Sequence, residues 1–171
     1  LPFSENTGNL KDEDKAEEFK KYVAKLGTKG KAALYVKIMC IPSDEEFNAM
    51  LESAMTGLTR QDMETTLISI LTQQMGMGED AVTEYLSPMS DEDIKAMYVQ
   101  MISEQVKAQY ASQVMTNLVT MTEEQLADAL DGAMTQYTNE QFGKYYDEAL
   151  EFSDGTYEGN LKKLGYVNLD K

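Results

Sequence analysis

At 171 residues, with 42% hydrophobic and 26% charged side chains, the chain has the composition of one ordinary folded domain rather than of a disordered or membrane-embedded protein. Its 30 acidic residues against 15 basic ones give a net charge of -15, which argues against nucleic acid and anionic lipid as partners, because both are bound through Lys and Arg. The absence of histidine and the presence of one cysteine, Cys40, exclude Ser-His-Asp and Cys-His catalysis, His-ligated zinc and an intrachain disulfide.

The predicted elements are helices almost throughout. The first runs from Asp12 to Leu26 and ends at Gly27; the second runs from Lys29 to Cys40 and stops before Pro42. Ser43 with Glu46 forms a capping-box pattern that starts a helix over Asp44 to Thr56, closed by Gly57. Helices then follow at Arg60 to Met75 and Glu79 to Leu86, with Met75-Gly76-Met77-Gly78 read as the turn between them and Pro88 as the next stop. Ser90 with Asp93 starts a long helix over Asp91 to Met121, with a break expected near Ser112. Thr122 with Gln125 and Thr138 with Gln141 start the last two, Glu123 to Thr135 and Asn139 to Phe152. Phe47, Met50, Leu51, Ala54 and Met55 follow the spacing that puts apolar side chains on one helical stripe, as do Ile94, Met97, Tyr98, Met101 and Ile102. Strand patterning is confined to the tail, where Tyr166-Val167-Asn168-Leu169 alternates after Gly165.

The chain also matches itself, without a gap, at an offset of 79 residues. Ser43 to Thr59 lies over Thr122 to Thr138, Asp12-Glu13-Asp14 over Asp91-Glu92-Asp93, Phe19 over Tyr98, Val23 over Ile102, Phe47 over Leu126 and Leu51 over Leu130. The expected fold is therefore mainly α: one domain, 1–171, made of two similar multi-helix halves, about Leu10 to Gly78 and Met89 to Gly159. A short extended tail, 160–171, leads to a sheet outside the fragment.

No residue pattern specifies catalysis. Neither phosphate-loop motif is present, and the acidic stretches at Asp12-Glu13-Asp14 and Asp154-Gly155 lack the alternating carboxylates and twelfth-position Glu of a calcium loop. The expectation is no catalytic residue, no metal and no cofactor. Paired carboxylates of a hydrolase remain an unfavoured alternative, because so many acids make some close pair inevitable. Lys20, Lys21, Lys25, Lys29, Lys31 and Lys37 read as a solvated face and loop, and Cys40, within Ile38-Met39-Cys40-Ile41, as a small buried thiol. Met50, Met55, Met63, Met75, Met97, Met101, Met115 and Met134 fall on the helix stripes and serve either as core filling, the preferred reading, or as an adaptable binding groove. Tyr145-Tyr146 has room to turn only one ring inward.

The last passage, Tyr157-Glu-Gly-Asn-Leu-Lys-Lys-Leu-Gly-Tyr-Val-Asn-Leu-Asp-Lys171, resembles a segment of the extracellular region of MacB/FtsX-type ABC-transporter permeases of Gram-positive gut bacteria. There a small helix, a Leu-Gly step and a short strand lead into the permease's extracellular sheet. Leu1-Pro2-Phe3-Ser4-Glu5 and the acidic modules beginning at Ser90 and Thr122 resemble the helical insert of the same proteins. The resemblance implies a non-catalytic domain on the extracellular face of the bacterial membrane, whose partners are the rest of the permease and its ATP-binding subunit. The chain has no run of about 18 apolar residues, so any membrane-spanning segment would lie outside these residues. The acidic surface would favour a cationic ligand such as an antimicrobial peptide. The competing class is a free-standing helical interaction or scaffold protein.

Overall fold

The computed structural model describes residues 10–150. Eight α-helices account for the regular structure of these residues, which contain no strand: α1 (Asp12–Ala24), α2 (Thr28–Met39), α3 (Asp44–Met55), α4 (Arg60–Met75), α5 (Glu79–Leu86), α6 (Asp91–Leu118), α7 (Glu123–Met134) and α8 (Asn139–Glu148). The mainly α expectation holds. The extended tail, 160–171, lies outside the described residues.

Side-chain capping sets several of the starts. Capping boxes close the first turns of α3, α7 and α8 through Ser43 and Glu46, Thr122 and Gln125, and Thr138 and Gln141. In α6 the Ser90 hydroxyl accepts from the Asp93 amide. A further box, Thr59 with Asp62, opens α4; aspartate at the third helical position is short but still reaches the Thr59 amide at 2.9 Å. Gly76 ends α4 with φ of 64°, a left-handed conformation that suits a residue without Cβ. The break expected near Ser112 is absent: α6 runs 28 residues, with neither Gly nor Pro to interrupt its backbone ladder.

The described residues divide into two compact units. The first combines 10–41 with 110–150, and so joins the start of the chain to its end. Here α2 lies along α7 and α1 along α8. Phe19 of α1 meets Phe142 of α8 with ring centroids 5.5 Å apart, and Tyr137 meets Phe142 edge-on at 5.3 Å. Leu34, Val36, Leu126 and Leu130 are fully buried in the same cluster, and Ala111, Val114, Met115 and Leu118 of the last turns of α6 pack into or against it. Tyr146 is buried, whereas Tyr145 is half-buried with its ring 5.1 Å from that of Tyr137. Burial, followed by the neighbouring Tyr145 and Tyr35, pushes the Tyr137 hydroxyl above its ordinary range. Lys15 pairs with Asp147 at 2.9 Å, tying α1 to α8.

Cys40 is buried in this unit, as its apolar setting predicts, with Sγ 3.8 Å from the Ala111 carbonyl oxygen. Burial raises its thiol from 9.0 to about 11, opposed by Lys37. A folded-state value above the unfolded one favours the neutral thiol. Its contribution is therefore complete below about pH 9 and is lost as pH rises through about 11. Two results are expected. Iodoacetamide at pH 8 should modify the native protein at least about tenfold more slowly than the urea-unfolded chain, and Cys40→Ala should flatten the fall in stability between pH 9 and 11.

The second unit is Pro42–Gln109. Met63 and Leu67 of α4, Val82 and Leu86 of α5, and Ile94, Tyr98 and Ile102 of α6 form its buried cluster, flanked by half-buried Leu51, Met55, Met97 and Met101. Arg60, the only arginine, stitches three helix ends together. Its Nε donates to Glu64, Nη1 to Asp91 at 2.7 Å, and Nη2 to the Leu86 and Ser87 carbonyls at 3.2 and 3.4 Å. A lysine ammonium has no planar fork with which to reach α4, the end of α5 and the start of α6 together. Arg60→Lys should therefore accelerate amide hydrogen exchange at 87–91 while leaving exchange in α7 unchanged.

Candidate functional site

A shallow groove of about 560 Å³ lies within the second unit, lined by Asn48, Leu51, Glu52, Met55, Thr56 and Lys95. Four of these, Asn48, Leu51, Glu52 and Met55, belong to α3 at the 3, 4, 7 spacing that places them along one face of a helix, and Thr56 is its C-cap. The capping box at Ser43 and three acidic residues in the first turn stabilise α3 locally. The apolar stripe that packing would normally bury is incompletely covered: α3 has no fully buried residue, and Leu51 and Met55 are half-buried. Lys95 of α6 forms the opposite wall. It adds one positive charge to the lining. Toward the start of α3, the Lys107 ammonium lies over the Phe47 ring, 5.4 Å from its centroid. The groove thus offers an apolar strip with one carboxylate, one amide and one ammonium, a surface suited to recognition by packing and ion pairing.

The lysines expected to form a solvated face are differentiated by the fold. Lys25 is exposed and Lys21 pairs with Glu18 on the same helix at 3.6 Å. Lys20 instead lies 5.1 Å from the Phe142 ring centroid, and Lys31 reaches across to Asp131 of α7 at 3.2 Å. Lys37 is held below its ordinary value by burial, opposed by Cys40 and Glu148. The stripe methionines divide similarly. Met63 is buried and Met97, Met101, Met115 and Met134 pack against the two clusters, so core filling accounts for these five. Met55 belongs to the groove as well as to the core margin, and Met75 is 64% exposed.

Sequence reasoning located the α3 stripe but not its incomplete cover. The signal was available in the 79-residue alignment. Gly27, which precedes α2 after the Lys25–Leu26 turn, lies over Val106, and Gly30 lies over Gln109, so the second copy of the pattern lacks both glycines. Among the described residues no three His, Cys, Asp or Glu side chains are placed to hold a metal ion together. No described helix is long and apolar enough to cross a membrane. Compared with protein-family models, curated proteins and solved structures, the chain has no significant match in any of the three.

Proposed function

We propose that this chain is a non-catalytic binding domain from the extracellular part of an ABC-transporter permease of the MacB/FtsX type. In this reading it engages a ligand or partner while ATP is hydrolysed by another subunit. The observation that carries the reading is the passage Tyr157 to Lys171, whose Leu-Gly step and short alternating segment resemble the entry into the extracellular sheet of such permeases. The groove on α3 supports the binding part of the reading, because it combines an apolar floor with isolated charges and is built on a rigid capped helix. The net charge of -15 favours a cationic ligand through long-range attraction that weakens with salt.

Two measurements test this reading. The full gene product should encode membrane-spanning helices on both sides of these residues; a product without them overturns the transporter assignment. Titration with a cationic amphipathic peptide and a charge-matched scrambled control should show tighter binding of the ordered sequence, with both weakening as ionic strength rises. Equal binding of the two peptides at every salt concentration removes the specific cationic ligand.

A further inference from the structure

The incomplete cover of α3 has a counterpart that is covered. Helices α3 and α7 are both 12 residues long, begin 79 residues apart and open with equivalent capping boxes. In the first unit, α7 buries Leu126, Ala127 and Leu130, and α2 lies along it with Ala32, Ala33 and Val36 buried. The Lys31 ammonium donates to both Asp131 carboxylate oxygens at 3.2 and 3.3 Å and fixes the flank of that pair. In the second unit, Asn48, Leu51 and Glu52 occupy the positions of Ala127, Leu130 and Asp131, and all three line the groove.

The buried clusters of the two units share residues at equivalent positions. Phe19 and Val23 of α1 share a buried cluster with Phe142 and Tyr146 of α8; Tyr98 and Ile102 of α6, at the equivalent positions, share one with Met63 and Leu67 of α4. What differs is the turn. Helix α1 ends at Ala24 and the chain turns into α2, whereas α6 carries Val106 and Gln109 in place of Gly27 and Gly30 and continues as one helix to Leu118. No helix of the α2 kind therefore follows a turn back over α3 within the unit.

We infer that the α3 groove is the seat for a helix of α2's type supplied by a separate protein: an amphipathic helix with a stripe of small apolar residues and a lysine on its flank. Glu52 receives that lysine as Asp131 receives Lys31. Leu51 and Met55 receive the small-residue stripe, as the equivalent Leu130 and Met134 of α7 pack in or against the cluster that holds Ala32, Ala33 and Val36 of α2, and Asn48 adds an amide that pairs with a polar group of the incoming helix. The inference does not depend on the transporter reading, since it rests on the described helices alone. A second copy of this chain is the poorer occupant, because its own α2 is already buried against α7.

The probe is a synthetic peptide of residues 27–39, titrated into the full chain. A free helix of this length is marginal, so binding is expected to be saturable and to raise helicity. Glu52→Lys should weaken binding about tenfold or more, and a peptide carrying glutamate in place of Lys31 should recover it on that variant. Leu51→Glu should abolish binding without lowering the melting temperature of the first unit, and Asp131→Lys should leave the affinity for the peptide unchanged. Absence of saturable binding overturns the inference. So does sensitivity to Asp131→Lys in place of Glu52→Lys, which would mean that the peptide had displaced the protein's own α2. Concentration-dependent dimerisation of the chain abolished by Leu51→Glu would assign the groove to a second copy and overturn the separate partner.

Discussion

Phe142→Ala is expected to destabilise the first unit by about 3–5 kcal/mol, a large part of the stability of an ordinary domain. Phe142 is 2% exposed and is the ring on which Phe19 and Tyr137 converge, with the Lys20 ammonium 5.1 Å from its centroid. Truncation therefore removes the hydrophobic transfer of the ring, two aromatic pairings and a cation–π contact, and it leaves a cavity between α1 and α8. Collapse of that cavity is restricted, because the Lys15–Asp147 pair and the packing of α2 on α7 hold neighbouring elements in place. The control is Tyr85→Ala, at a ring 57% exposed, which should cost less than about 1 kcal/mol. Urea unfolding followed by circular dichroism and by amide exchange in α1 and α8 measures both. A small effect of Phe142→Ala on α1 exchange would show that α1 is held elsewhere.

Local signals specified the helices, because capping and termination are decided by a few neighbouring residues. Ser43, Ser90, Thr122 and Thr138 set starts that the structure reproduces, and the stretch around Gly76 and Gly78 separates α4 from α5. Thr59 was not singled out in the sequence, although the Asp62 carboxylate three positions on completes the same kind of box. The break expected near Ser112 does not form. Within α6 the Ser112 carbonyl accepts from the Thr116 hydroxyl, four residues on, and the helix continues unbroken.

Which helix meets which was not legible in this way. Periodicity identifies the apolar stripe of α2 or α8 but not its partner, and the partners lie far along the chain: Lys31 meets Asp131 and Lys15 meets Asp147. Lys31 therefore looked solvated in the sequence although its charge is used across a helix pair. The groove escaped for a related reason. Its existence depends on a turn that is missing between residues 106 and 109, and an uninterrupted helical stretch gives no local sign that a neighbour has been left uncovered.

Alanine substitutions at two positions 79 residues apart are expected to differ by several-fold in cost. Leu130 is fully buried where α2 covers α7, so Leu130→Ala should cost about 2–5 kcal/mol. Leu51 stands at the equivalent point of α3 but is half-buried on the groove floor. There a truncated side chain opens no closed cavity and water already reaches the site, so Leu51→Ala should cost about 1 kcal/mol or less. The two helices share length and capping chemistry, and the lost atoms are identical, so local propensity cancels in the comparison. What remains is the contribution of the covering helix. Urea unfolding monitored by amide exchange within each unit reads the two costs separately. Equal costs would mean that α3 is as well covered as α7 and would remove the groove as a binding surface. A cost at Leu51 that rises toward that at Leu130 only when a bound helix is present would identify Leu51 as part of the seat.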